Sequence, residues 1–63
     1  MLSKRQLNER KIRQERILSS ALEVFRAKGI DGATMDLIAE KADFGKATLY
    51  YYFSSKEDVL LRI

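Results

Sequence analysis

Apolar residues recur along the chain with the three- to four-residue spacing of amphipathic helices. From residue 9 to residue 28 they fall within one broad stripe, and Ser19, Glu23 and Arg26 lie on the opposite side. Gly29 follows the last periodic residue, at a place where a glycine with positive φ commonly ends a helix. The pattern predicts a long first helix and then a short turn over residues 30–33.

Two short helices and the start of another are predicted after this turn. Thr34 precedes a new apolar period and is a typical N-cap residue. Asp43-Phe44-Gly45 interrupts that period, and Gly45 can cap the helix that follows. Ser55, with Asp58 three residues on, resembles a capping box. The four predicted helices span residues 9–28, 34–42, 46–53 and 55–63.

Length limits this chain of 63 residues to one domain at most. Two short helices joined by a turn of about three residues form a helix-turn-helix. The predicted fold class is therefore all-α: a small helical bundle with a three-helix, homeodomain-like helix-turn-helix and the start of a fourth helix. We assign residues 13–63 to this domain and residues 1–12 to a basic arm or an extension of the first helix.

Composition makes several functional classes poor candidates. The chain has no cysteine and no histidine, so disulfides, Cys/His metal sites and the usual general base are excluded. We therefore expect that the protein is not an enzyme and that it binds neither a cofactor nor a metal ion. No apolar run approaches the roughly 20 residues of a membrane span, and the first residues do not resemble a secretory signal. A cytoplasmic location is expected.

Positive charge is concentrated at the N-terminal end. Residues 1–16 carry a net charge of +4, whereas residues 17–63 carry −1. A basic segment of this kind favours a polyanionic partner, either nucleic acid or an anionic membrane surface. It is also compatible with a merely solvated helix extension.

Three consecutive tyrosines in the predicted third helix cannot all face the core. On a helical wheel Leu49 and Phe53 share one face, which defines the core side. Tyr51 lies opposite that face, and Tyr50 and Tyr52 lie on its two flanks. We expect Tyr52 chiefly to cover the core and Tyr50 to have both a packing and a contact role. Tyr51 has nothing in this chain to pack against.

The outward face of this helix suits a DNA major groove. Ala47 permits close approach, and the hydroxyl and methyl groups of Thr48 can meet base edges. Phenolic groups such as that of Tyr51 donate to phosphates, and such contacts fix the register of a protein on DNA. Lys46 can reach a phosphate or a guanine edge.

The segment from Arg13 to Ile63 resembles the N-terminal DNA-binding domain of TetR/AcrR-family transcriptional regulators. The family pattern is approximately T-x-x-x-I-A-x-x-A-G-V-S-x-G-T-L-Y-x-Y-F, and this chain has T-M-D-L-I-A-E-K-A-D-F-G-K-A-T-L-Y-Y-Y-F. Upstream, I-L-x-x-A-L-x-V-F-x-x-K-G matches the family's first helix. The positions that match in the helix-turn-helix and just after it are Thr34, Ile38, Ala39, Ala42, Thr48, Leu49, Tyr50, Tyr52, Phe53 and Lys56.

The resemblance implies binding to double-stranded DNA at a palindromic operator, most often as a repressor. The residues that would contact DNA are Thr34, Lys46, Ala47, Thr48, Tyr50, Tyr51 and Lys56. Relatives form homodimers through a further domain that also binds a small-molecule effector. The present 63 residues, which lack that domain, are expected to be monomeric.

Three positions depart from the family pattern. Asp43 replaces the glycine of the turn, and Gly45 replaces the serine N-cap. Asp36 lies where many relatives have a basic residue. Because a carboxylate repels phosphate, no DNA contact is assigned to Asp36.

Two other functions fit parts of the sequence. A small protein-interaction module could use the three tyrosines and Leu37 as an exposed patch, since aromatic residues are enriched at interface hot spots. A membrane-surface helix over residues 4–28 is weakened by the glutamates on its polar face. The positions of Lys46, Lys56 and the basic segment favour phosphates over an apolar partner.

Overall fold

The computed structural model describes residues 3–63, and the regular secondary structure of that range is helical throughout. The helices are α1 (Lys4–Gly32), α2 (Met35–Ala42), α3 (Lys46–Tyr52) and α4 (Lys56–Arg62). This is the all-α class that the apolar spacing predicts. Helices α2 and α3 form the helix-turn-helix, and α4 follows it.

Helix α1 begins at Lys4, five residues before the predicted start at residue 9. Its N-terminus is closed by a capping box. The Ser3 hydroxyl accepts a hydrogen bond from the Gln6 backbone N–H at 3.2 Å, and the Gln6 side chain accepts one from the Ser3 N–H at 2.9 Å. Of the predicted arm, residues 4–12 thus extend the helix, while residues 1 and 2 lie outside the described residues.

The C-terminal end of α1 contains a kink at Gly29. Its φ of 75° and ψ of 169° are not helical, and the positive φ is a conformation that glycine adopts without steric cost. The predicted turn after Gly29 is nevertheless helical through Gly32. The Ala33 N–H donates to the Gly29 carbonyl oxygen at 3.1 Å, which closes this last turn.

The turn between α2 and α3 depends on a left-handed residue. Asp43 has φ 60° and ψ 39°, and its N–H donates to the carbonyl oxygens of Ala39 and Glu40. Aspartate visits this region more readily than most residues, so it can replace the glycine of the family pattern. Arg16 of α1 lies over the Phe44 ring, 4.9 Å from the centroid, and thereby packs the turn against α1.

The core draws side chains from all four helices and therefore fixes the orientation of α3. Its five largest fully buried side chains are Phe53, Ile17, Ile38, Leu49 and Val59. Around these lie smaller or slightly more exposed residues, namely Ala21, Val24, Phe25, Ala33, Met35, Ala39 and Ala42. Burial of this apolar surface is the main stabilising contribution in so small a domain.

Candidate nucleic-acid interface

Helix α3 presents the two faces that its sequence predicts. Leu49 is fully buried and Phe53 is 1% exposed, whereas Tyr51 is 70% exposed. Lys46 and Ala47 are also exposed, and Thr48 is half-buried. The prediction that Tyr51 points away from the core is confirmed. The expectation that its ring has nothing in this chain to pack against is wrong, because the ring contacts Tyr52 and Arg10.

The two flanking tyrosines differ from each other. Tyr50 is 45% exposed, so its phenol group is accessible to a partner. Tyr52 is half-buried and packs against the core, which confirms the prediction that it chiefly covers apolar residues. The Tyr51 and Tyr52 rings also meet edge to face, with centroids 5.1 Å apart. This contact favours one orientation of the exposed Tyr51 ring.

A groove runs between the N-terminal half of α1 and the exposed face of α3. It encloses about 570 Å³ and opens to solvent. The α3 side of the groove consists of Ala47, Thr48, Tyr51 and Tyr52. The α1 side is lined by Gln6, Glu9, Arg10 and Arg13. Three of the predicted contact residues therefore share a surface with the basic extension of α1.

Two arginines of α1 contact the tyrosines of α3. The guanidinium carbon of Arg10 is 5.8 Å from the Tyr51 ring centroid, in cation–π geometry. The pKa of Arg13 is raised by Tyr52, through hydrogen bonding and charge, and to a smaller extent by the charge of Glu9. Both arginines lie in the basic segment of residues 1–16, but no sequence pattern indicated that they would border α3.

A second charged contact joins α2 to α3. The Lys46 ammonium nitrogen lies 2.9 Å from a carboxylate oxygen of Asp36, and both side chains are more than half exposed. The hydrogen bond to Asp36, together with its negative charge, raises the pKa of Lys46. Lys46 is therefore already paired with a carboxylate in the free protein.

Thr34 has the capping role that its position predicts. Its hydroxyl oxygen accepts a hydrogen bond from the Leu37 backbone N–H at 3.1 Å, and the residue remains exposed. The Thr34 hydroxyl hydrogen is free to donate elsewhere, because a hydroxyl can donate one bond while it accepts others. A contact with a phosphate at this helix end therefore stays a prediction.

Lys56 has a structural partner that the sequence did not indicate. Its ammonium nitrogen donates to the Ile30 carbonyl oxygen at 2.8 Å, and the side chain is half-buried. This hydrogen bond ties the start of α4 to the last turn of α1. An ammonium group has three donors, so a phosphate contact by Lys56 also stays a prediction.

The capping interaction at the start of α4 differs in detail from the predicted one. The Ser55 hydroxyl accepts from the Asp58 backbone N–H at 3.1 Å, as in a capping box. The Asp58 carboxylate, however, accepts from the Ser54 backbone N–H at 3.0 Å and not from that of Ser55. Backbone N–H groups at the start of α4 nevertheless have side-chain acceptors, and these hydrogen bonds fix the position of Lys56.

Comparison with known proteins identifies the family. The pattern described as "Bacterial regulatory proteins, tetR family" matches residues 17–63. The chain belongs to the tetR family. This family match covers α2, α3, α4 and the C-terminal half of α1, whereas Arg10 and Arg13 lie outside it.

Two relatives illustrate the tetR-family similarity. The uncharacterized HTH-type transcriptional regulator TtgW of Pseudomonas putida is 44% identical over 52 residues, which cover 82% of this chain and 39% of TtgW. The biofilm operon icaADBC HTH-type negative transcriptional regulator IcaR of Staphylococcus aureus is 41% identical over 46 residues, which cover 73% of this chain and 25% of IcaR. The chain therefore matches less than half the length of either relative. No solved structure matches it.

Two further properties concern the part of the chain that the structure describes. Within residues 3–63 no helix is long and apolar enough to cross a membrane. The same residues contain no group of three or more acidic, histidine or cysteine side chains placed to hold a metal ion.

Proposed function

We propose that this tetR-family chain binds double-stranded DNA as the DNA-binding domain of a transcriptional repressor, with α3 in the major groove. The observation that carries the proposal is the exposed face of α3. Ala47, Thr48 and Tyr51 point away from a core that Leu49 and Phe53 hold in place. In helix-turn-helix proteins the N-terminal residues of the second helix contact base edges in this way.

The residues of this surface divide into two roles. Ala47, Thr48 and Tyr51 approach the base edges, where small, hydroxyl and phenolic groups make apolar and hydrogen-bonded contacts. The backbone contacts come from side chains at the margins of the face, which set the register but carry little sequence information. These marginal residues are Thr34, Tyr50 and Lys56.

The extension of α1 supplies further phosphate contacts. Arg10 and Arg13 border the groove opposite Thr48 and Tyr51. A DNA strand beside a major groove that holds α3 passes close to these guanidinium groups. Because arginine pairs with phosphate through two parallel hydrogen bonds, both are well suited to that strand.

The complete regulator is proposed to act as a homodimer on a palindromic operator. Two recognition helices about 34–36 Å apart would read two half-sites, which raises affinity and specificity over one domain. The greater length of TtgW and IcaR supports a further domain for dimerisation and for a small-molecule effector. The similarity to IcaR, a negative transcriptional regulator, supports repression. A cytoplasmic location and a binding role without catalysis complete the proposal.

Selection of tight-binding duplexes from a random library, followed by fluorescence anisotropy, tests the function of the 63-residue chain. We expect enrichment of a discrete half-site and an affinity that falls steeply as salt is added, since phosphate contacts release counterions. A weak affinity that depends neither on the duplex sequence nor on the salt concentration would refute the proposed DNA-binding function. That result would favour the alternative, a protein-interaction module with an exposed aromatic patch. Of the residues expected in that patch, Tyr50 and Tyr51 are exposed, whereas Tyr52 and Leu37 are half-buried against the core.

A further inference from the structure

Asp36 and Lys46 place a hydrogen-bond acceptor and a donor side by side, at the edge of the α3 face that is proposed to contact base edges. Asp36 lies in the first turn of α2, and Lys46 directly precedes Ala47 in α3. Their charged atoms are 2.9 Å apart, and the side chains are 70% and 59% exposed, respectively. The pair is therefore formed before any DNA arrives and remains open to solvent on its outer side.

This pair is poorly suited to a phosphate group. A carboxylate next to the ammonium repels the phosphate oxygens and cancels much of the attraction that Lys46 alone would exert. If Lys46 served only as a backbone contact, Asp36 would work against it. The neighbouring opposite charges instead suit a partner that itself presents an acceptor beside a donor.

The major-groove edge of a G·C base pair has this pattern. Guanine presents the acceptors N7 and O6, and cytosine presents the N4 amino donor. The guanine O6 and the cytosine N4 are joined by a hydrogen bond of about 2.9 Å, a separation that matches the one between the two side chains. Lysine contacts with guanine and aspartate contacts with cytosine N4 are both established pairings.

We propose that Asp36 and Lys46 together read one G·C base pair of the half-site, with Lys46 donating to guanine and Asp36 accepting from cytosine. This inference rests on the proposed DNA-binding function and adds a specificity-determining residue, Asp36, to it. Both groups can keep their mutual contact while they bind the bases. The ammonium has two further donors, and the carboxylate has unused lone pairs.

An A·T pair in the same place presents the opposite arrangement at the centre of the groove. The adenine N6 amino donor would face Lys46, and the thymine O4 acceptor would face Asp36. At the centre of the groove, two contacts between like groups would then replace two hydrogen bonds, and only the purine N7 would remain as an acceptor for Lys46. We therefore expect the pair to reject A·T actively as well as to favour G·C.

The test compares selected half-sites of the wild-type chain with those of Asp36→Asn and Lys46→Met. Glu40→Gln serves as the matched control, because Glu40 is exposed on α2 and its substitution changes the charge by the same amount as Asp36→Asn. The wild type is expected to show one G·C position at which an A·T replacement weakens binding roughly tenfold or more. Both variants should lose most of that discrimination at this one position, and the control should retain it.

Three results would overturn the inference while leaving DNA binding intact. First, both variants could select the same half-site as the wild type. Second, Asp36→Asn and Lys46→Met could alter the base preference at two different positions of the half-site. Third, they could weaken binding to every duplex equally without altering any base preference. Failure of the proposed function looks different, because no duplex would then be enriched by the wild type and binding would not depend on salt. Circular dichroism of each variant shows whether the fold is retained, as expected for two exposed side chains.

Discussion

The guanidinium group of Arg10 lies over the ring of Tyr51, with 5.8 Å between the guanidinium carbon and the ring centroid. This contact joins the N-terminal extension of α1 to the most exposed aromatic ring of α3. The cation–π attraction places Tyr51 within the groove that faces the proposed DNA. The N-terminal extension of α1 and helix α3 therefore form one continuous surface.

Replacement of Tyr51 by alanine should weaken binding to the selected half-site and leave thermal stability almost unchanged. The ring is 70% exposed and makes no contribution to the buried core. Anisotropy titrations and thermal melts of the same variant measure both quantities. Tyr52→Ala is the contrasting substitution, because Tyr52 packs against the core and its loss should lower the melting temperature. A large loss of stability in Tyr51→Ala would show that the orientation of α3 is wrong.

Arg13→Ala should weaken binding to all duplexes about equally. If Arg13 contacts one phosphate, the slope of log K against log salt should decrease in magnitude by about one unit. Arg26→Ala removes the same charge from the exposed face of α1 that lies opposite the core, and it is expected to leave the slope nearly unchanged. Equal slopes for the two variants would contradict the assignment of the α1 extension to the DNA-binding surface.

Lys56→Ala should lower both stability and affinity. Loss of the hydrogen bond to the Ile30 carbonyl is expected to reduce the free energy of unfolding by about 0.5–1.5 kcal/mol. Loss of a phosphate contact should weaken binding to every sequence alike. Urea denaturation measures the first effect, with Lys11→Ala as an exposed control that should be neutral. A change in base preference would contradict the backbone role of Lys56.

Gly45→Ser should stabilise the domain by a few tenths of a kcal/mol, since serine is a better N-cap than glycine. Gly45 has the extended φ of −65° and ψ of 152°, and no side-chain hydrogen bond caps α3. A Cβ atom at this position would meet nothing within 4 Å. Thermal melts measure this gain in stability. Gly45→Ala is the control, because it lacks the hydroxyl group and should be less stable than the wild type. A lower melting temperature for Gly45→Ser would contradict this capping argument.

Local signals explain why so much of the fold could be predicted from sequence. Thr34 and Ser55 are capping residues that identify helix starts, and Gly29 identifies the kink near the end of α1. The wheel position of Tyr51 follows from the burial of Leu49 and Phe53 alone. The missed start of α1 also had a local signal, because S-K-R-Q over residues 3–6 is a capping-box sequence.

Contacts between distant residues could not be predicted in the same way. Lys56 reaches the Ile30 carbonyl 26 residues earlier in the chain, and Arg10 reaches Tyr51 across an even longer separation. These pairings depend on the packing of α1 against the rest of the bundle. No periodicity or capping pattern carries that information, so the sequence pointed to a basic segment without placing it beside α3.

The salt dependence of binding to a selected half-site and to a scrambled duplex of the same length tests the central claim most directly. We expect log K to fall linearly with log salt for both duplexes, with the half-site bound more tightly at every concentration. Equal affinities for the two duplexes, unchanged by salt, would contradict the claim that this domain reads DNA.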